Sequence, residues 1–171
     1  RRYRKELGAE DRLVIGHVGR FHEAKNHGFL LNCFAALRKL RPDALLLLVG
    51  DGELRPDIER KIKELGLEAS VLLPGNRSDV AELMWAMDAL VFPSKWEGLP
   101  VTVVEAQAAG LPCLISDRIT REVDISPLVR RLAIDEPEHW AEELVKPLPR
   151  MDVRENIVRA GYDINDSVNP L

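Results

Sequence analysis

The chain has 171 residues, of which 46% are hydrophobic, 30% charged and only 5% aromatic, with a net charge of −4. That length supports one domain with a substantial, mostly aliphatic core, in a composition ordinary for a globular protein. The acidic balance argues against a general nucleic-acid or membrane-surface binder, whose footprint is basic, and no apolar run approaches the roughly 20 residues of a membrane span.

Arg1-Arg2-Tyr3-Arg4-Lys5 is basic, but no long apolar stretch follows, so it does not read as a signal peptide. The missing initiator Met leads us to expect a piece of a longer protein. Residues 13–19, short and β-branched with a closing glycine, read as a strand. Residues 27–40 place Phe29, Leu30, Leu31, Phe34, Leu37 and Leu40 on one helical stripe, which Pro42 stops. Residues 44–49 are almost continuously apolar, the pattern of a strand buried on both faces. Gly50-Asp51-Gly52 is a turn, and 53–65 a helix with a charged outer face. A short strand over 70–73 precedes a loop at Pro74-Gly75-Asn76. Ser78 or Asp79 is placed to cap a helix running to about Ala86. A strand (88–92), a loop (93–98), a helix (99–109) and a strand (112–116) follow. Residues 128–134 read as a last strand, then 137–145 and 153–160 as terminal helices. Pro147-Leu148-Pro149 has linker composition, and the tail beyond Gly161 is expected to be loosely held.

This alternation implies a doubly wound α/β domain with a parallel sheet, Rossmann-like in plan. Residues 1–150 are expected to form the ligand-binding domain and 151–171 a C-terminal helix and tail. Ligands of such sheets sit beyond the carboxyl ends of the strands, which singles out loops 20–26, 50–53, 74–78 and 94–98. Cys33 and Cys113 lie in apolar stretches and read as reduced core thiols. No Cys/His grouping has metal-ligand spacing, so no metal site is expected.

Two constellations carry chemistry. The first is Val18-Gly19-Arg20-Phe21-His22-Glu23-Ala24-Lys25-Asn26-His27, between a strand and a helix. Arg20 offers a planar fork for phosphate oxygens and Lys25 a mobile point charge, and the helix amides near Asn26 add positive potential. The plainer alternative is two solvated cations, although cations at a helix start oppose its dipole. The second is Pro93-Ser94-Lys95-Trp96-Glu97-Gly98-Leu99-Pro100-Val101-Thr102-Val103-Val104-Glu105-Ala106. Pro100 suits a first helical turn, leaving the amides of Val101 and Thr102 free to face an anion. The almost wholly apolar stretch from Leu99 to Val104 predicts a buried helix start, where Glu97 and Glu105 need partners. Sugar and ribose hydroxyls suit carboxylates, which accept two O–H bonds at once. Taken singly, Glu97 also reads as a helix N-terminal anion and Glu105 as an exposed helical position.

Other features read more plainly. Leu72-Leu73-Pro74-Gly75-Asn76-Arg77 is a turn whose backbone at Gly75 and Asn76 can meet a base edge. Gly50-Asp51-Gly52 lacks the spacing of a phosphate-binding glycine loop. His17 reads as a satisfied core histidine. Trp85, Trp96 and Trp140 read as packing groups, with Trp96 also placed to wall a site beside Glu97. The alternatives are a sugar-nucleotide epimerase-like or other nucleotide-binding Rossmann domain, and a receiver-like interaction module. The last would want clustered acids, whereas Asp51 and Asp117 stand apart.

Val18-Gly19-Arg20 with Lys25-Asn26, Val49-Gly50-Asp51-Gly52, Pro93 to Pro100, Glu105-Ala106 and Gly110-Leu111-Pro112 occur in this order. In that order they resemble the C-terminal, donor-binding domain of family-4 retaining glycosyltransferases of GT-B fold, over about residues 13–145. Glu97 and Glu105 match the family's E-x7-E motif. The stretch from Ile115 to Asp124 and the tail Ala160-Gly161-Tyr162-Asp163-Ile164 are similar to bacterial enzymes of capsule and exopolysaccharide assembly.

The resemblance implies that Arg20 and Lys25 grip the donor diphosphate, and that Glu97 lies by the transferred sugar, these three forming the catalytic set. It implies that Glu105 bonds the ribose and that the loop near Asn76 lies by the base. Backbone amides after Gly98, at Leu99, Val101 and Thr102, would reach sugar or phosphate. Many members have Phe-Gly where this chain has Leu99-Pro100, and Pro100 lacks the N–H for such a contact. The implied reaction moves a sugar, with retention, from a UDP- or GDP-linked donor to an acceptor glycan or lipid-linked sugar. It requires no metal or other cofactor, involves no nucleic acid and belongs in the cytoplasm, with peripheral membrane association open to the full-length protein. Such enzymes bind the acceptor through a second, N-terminal domain, for which this chain has no room. The isolated chain is therefore expected to fold, to bind nucleotide weakly and to transfer little or nothing.

Overall fold

Period-two alternation along the strands decides how the layers form. The computed structural model describes residues 2–163 and 169–170. Six strands make one parallel sheet: β1 (Val14–Val18), β2 (Leu45–Val49), β3 (Val71–Gly75), β4 (Ala89–Phe92), β5 (Cys113–Ser116) and β6 (Val129–Leu132). Their spatial order is β3-β2-β1-β4-β5-β6. In β2, Leu46 and Leu48 face one side while Leu45, Leu47 and Val49 face the other. Both sides are buried, so the strand reads as one apolar run.

On the first face, Leu46, Leu48, Ile15 and Val91 meet Leu30, Leu31, Phe34 and Leu37 of α2 (His27–Leu40) and Ile58 and Ile62 of α3 (Arg55–Glu64). Trp140 of α6 (Pro137–Leu144) joins that core fully buried, its indole N–H donating to the Ala133 carbonyl at 2.9 Å. On the second face, Leu45, Leu47, Leu90 and Phe92 meet Leu83 and Met84 of α4 (Val80–Ala86) and Val103 and Ala106 of α5 (Val101–Ala108). Buried Val153 and Ile157, the latter on α7 (Arg154–Arg159), pack on Val104 and Leu128. Both cysteines are buried and free.

Several expectations are corrected. Leu40 is exposed, because the stripe of α2 outruns the sheet. Asp79 stands at the N-cap of α4 without a side-chain cap bond. Its carboxylate instead takes a two-bond grip from Arg77, at 2.8 and 2.6 Å. Strand β3 runs on through Pro74 and Gly75; it is an edge strand, where a missing N–H is tolerated. Pro100 is the N-cap of α5, one place before the first turn. Trp85 and Trp96 are exposed, and of the three indoles only Trp140 is a core group.

A short helix, α1 (Arg2–Glu6), precedes the sheet. Arg4 bonds Asp88 at 2.5 Å, and Asp88 in turn accepts the Val14 amide at 2.8 Å. A two-residue antiparallel pair, β7 (Tyr162–Asp163) with β8 (Asn169–Pro170), lies at the C-terminal end. The expected looseness of the tail and its likeness at Ile164 concern residues 164–168 and 171, outside the described residues.

Candidate functional site

Strands β1 and β4 lie side by side at the point where the strand order reverses, so their carboxyl ends open one crevice. Loop 19–26 leaves β1 and loop 93–98 leaves β4. The first is braced by the Gly50-Asp51-Gly52 turn: the Gly19 N–H donates to Val49 at 3.0 Å and the Phe21 N–H to Asp51 at 2.9 Å. Gly50 has φ 137°, and a Cβ there would lie 2.1 Å from the Gly19 carbonyl oxygen. The glycine therefore serves close backbone approach. The two loops are also stitched together. The Lys95 amide donates to the Ala24 carbonyl at 2.8 Å, and the Asn26 side chain to the Pro93 carbonyl at 3.1 Å. Asn26 itself sits left-handed at φ 62°, joining a short 3₁₀ turn to α2.

Across this seam Lys25 Nζ meets Glu97 Oε2 at 2.6 Å, with side chains 20% and 10% exposed. Buried Ser94 donates its hydroxyl to the same oxygen at 2.9 Å. The ammonium also lies 5.0 Å from the Phe92 ring centroid. Below it His17 is fully buried and His27 nearly so, their rings edge to face at 4.9 Å. His17 Nδ1 is 2.8 Å from the Val91 carbonyl oxygen, but His17 Nε2 and both ring nitrogens of His27 have no partner among the described residues. The expected satisfied histidine is thus only half satisfied. Burial foremost, then the His27 charge and, more weakly, Lys25, pushes the His17 pKa down to about 3; burial and Lys25 push His27 down to about 4. Both rings are neutral at ordinary pH.

Arg20 is exposed and does not join this pair. With Gly19, Asp51, Asn76 and Arg77 it lines an adjacent cleft of about 490 Å³ over the ends of β1, β2 and β3. Sequence reasoning placed Arg20 and Lys25 on one ligand; the folded chain sets them on neighbouring parts of one crevice. At Gly98 a Cβ would meet nothing within 4 Å, so the loop is open there. Leu99 is 39% and Val101 50% exposed, against the expected buried helix start. Val103 and Val104 fill the buried side of α5, so the 3.6-residue turn leaves Val101 facing out. The amides of Val101 and Thr102, at the first turn of α5, have no acceptor among the described residues. The carboxylate of Glu105, a turn further on, has no hydrogen-bond or ion-pair partner among them, and burial raises its pKa.

The crevice thus offers a cation on an exposed arm, a second cation held on a carboxylate, free helix amides and a carboxylate awaiting donors. Such a set can hold a diphosphate bearing hydroxylated rings. The side chains of Ser94 and Asn26, which lock the pair and the seam, carried no role in the sequence reading; Ser94 stands two places past β4 and Asn26 at the N-cap of α2, small polar residues in the two ligand-side loops. Among the described residues, no three or more His, Cys, Asp or Glu are grouped to hold a metal ion. No described helix is long and apolar enough to cross a membrane.

Residues 1–163 match the family Glycosyl transferases group 1. EpsF of Bacillus subtilis (strain 168), named as a glycosyltransferase, is 45% identical over 170 residues, covering 95% of this chain and 44% of the relative. The UDP-Gal:alpha-D-GlcNAc-diphosphoundecaprenol alpha-1,3-galactosyltransferase of Escherichia coli is 37% identical over 107 residues, 61% of this chain and 28% of that protein. This chain therefore spans less than half the length of these relatives. HepE of Anabaena, solved in complex with UDP and glucose, shares the fold with a TM-score of 0.74 at 24% identity, over 84% of this chain and 40% of that one. These likenesses leave the epimerase-like and receiver-like alternatives without support. The chain belongs to the Glycosyl transferases group 1 family, and its fold is the Rossmann-like half of a GT-B enzyme.

Proposed function

We propose that this chain is the donor-binding domain of a retaining glycosyltransferase that takes a UDP- or GDP-linked sugar. The observation that carries the reading is the Lys25–Glu97–Ser94 cluster at the reversal point of the sheet, beside the Arg20 cleft. Arg20 and Lys25 neutralise charge that grows on the leaving diphosphate, the electrostatic contribution that dominates such transfers. Donor binding has a consequence for the ion pair. Phosphate oxygens draw Lys25 from Glu97, and the freed carboxylate oxygen accepts sugar hydroxyls. The amides of Val101 and Thr102 add positive potential at the start of α5. Glu105 accepts the ribose hydroxyls, which supply the partners its half-buried carboxylate lacks, and the loop at Asn76 meets the base.

The acceptor, a glycan or lipid-linked sugar, binds through an N-terminal domain outside this chain, with residues 1–150 as the donor-binding unit. The E. coli relative, whose name carries both a UDP-linked donor and a diphosphoundecaprenol acceptor, supports this assignment. We place the full-length protein in the cytoplasm, at the inner face of the membrane where a lipid-linked acceptor resides. Calorimetry with UDP and GDP tests the reading. One nucleotide binds the wild-type chain, and Arg20→Ala and Glu105→Ala each weaken it by about tenfold or more. Absence of nucleotide binding, or no effect of either change, refutes it. In this reading the isolated 171 residues bind the donor but transfer little sugar, because the acceptor is held by another part of the full-length protein.

A further inference from the structure

Outside the Lys25–Glu97 pair the same two loops make a second rung. The rings of His22 and Trp96 meet edge to face, centroids 6.5 Å apart at an interplanar angle of 88°. Trp96 is 53% exposed, yet the residues on either side of it are held. Lys95 is held by its amide bond to Ala24 and by Glu23 at 3.5 Å, and Glu97 by Lys25 and Ser94. Exposed Trp85 differs: the Arg150 guanidinium lies over its ring, 4.8 Å from the centroid. Trp96 has no such cover among the described residues. Leaving so large an apolar side chain in water forgoes the stabilisation of burying it. Holding it on a fixed mount beside a carboxylate makes a preformed two-part surface, flat and apolar on one part and hydroxyl-accepting on the other.

A pyranose ring is the complement of that surface. Its edge carries hydroxyls, which a carboxylate accepts in pairs, and its C–H face is apolar and stacks on an aromatic plane. We infer that Trp96 is a specificity-determining residue that packs against the apolar face of the transferred sugar while Glu97 accepts its hydroxyls. This rests on the donor-site reading and deepens it by assigning the outer rung to the sugar, not the nucleotide. The ordering cost in the protein is reduced, since the Lys95–Ala24 bond already holds the loop.

The test is calorimetry of UDP, UDP-glucose, UDP-galactose, GDP and GDP-mannose against the wild-type chain, Trp96→Ala, Trp96→Phe and the control Trp85→Phe, with far-UV circular dichroism to confirm folding. At least one nucleotide sugar binds the wild type more tightly than its bare nucleotide. Trp96→Ala weakens that sugar's binding by about tenfold and leaves the bare nucleotide unchanged, while Trp96→Phe keeps most of the affinity and Trp85→Phe has no effect. Equal nucleotide-sugar affinity in wild type and Trp96→Ala, with nucleotide binding intact, overturns the role of Trp96 alone. Equal loss for nucleotide and nucleotide sugar also overturns it, since the indole then serves the loop or the nucleotide. Absence of all nucleotide binding overturns the donor-site reading and this inference with it.

Discussion

The two buried imidazoles make stability fall steeply in mild acid. His17 and His27 have pKa values lowered from 6.5 to about 3 and about 4, chiefly because burial disfavours the charged ring. The unfolded chain takes up these protons first. The stabilisation is therefore complete above pH 6.5 and is lost as pH falls below it, until the folded values are reached. The slope is about 1.4 kcal/mol per pH unit for each ring. Near pH 5 each has cost about 2 kcal/mol and the two together about 4, a large part of the 5–15 kcal/mol typical of a domain. Both folded values lie below pH 5, so this figure changes little with where they fall. Glu105 works in the opposite direction, since its raised pKa lets the folded chain take its proton first. Urea unfolding near pH 7.5 and near pH 5 measures the loss. His27→Leu removes two unpartnered nitrogens, so it keeps or raises stability at the higher pH and halves the acid loss to about 2 kcal/mol. The same acid loss in wild type and variant, or histidine signals titrating near 6.5 by NMR, refutes the reasoning.

Two further outcomes follow from the frame around the crevice. Gly50→Ala forces a Cβ to within 2.1 Å of the Gly19 carbonyl oxygen at a φ of 137°, and costs roughly 3 kcal/mol in urea unfolding; a change below 1 kcal/mol shows that the two turns are not in contact. Asp88→Ala removes the carboxylate shared by Arg4 and the Val14 amide. It costs about 1–3 kcal/mol and speeds hydrogen exchange across α1, whereas unchanged exchange there means that α1 docks by other contacts.

Much of the fold is legible in the sequence because the strands are buried on both faces. A run such as Leu45-Leu46-Leu47-Leu48-Val49 has few other uses, and the helices between strands carry one apolar stripe each. What the sequence hides depends on competition or on distance. Asp79 has the chemistry of a helix cap, but Arg77 two residues earlier offers two charged hydrogen bonds in place of one amide. Helix α1 is five residues of mostly charged sequence with no periodicity to read, and its anchor, Asp88, lies 84 residues from Arg4. The almost wholly apolar start of α5 reads as buried because composition says nothing of which side faces the sheet; Val103 and Val104 lie inward and Val101 faces out.

For the site, the motifs locate the loops but not their partnerships. Lys25 and Glu97 are 72 residues apart, and their meeting requires β4 to lie beside β1. Chain order alone does not give this. It arises because right-handed crossovers carry β2 and β3 out along one edge of β1, after which the chain returns to pair on its other edge. That reversal brings loop 93–98 against loop 19–26, and it gives different surroundings to two glutamates that the motif treats as a pair. Glu97 has its charge matched by Lys25 and a hydroxyl from Ser94. Glu105, anchored on the helix eight residues later, has no partner among the described residues and a proton held more tightly by burial. Glu97 already holds two partners on Oε2, so a ligand either takes Oε1 or displaces one of them, whereas Glu105 needs only to gain one. Their difference lies in their surroundings and not in their spacing.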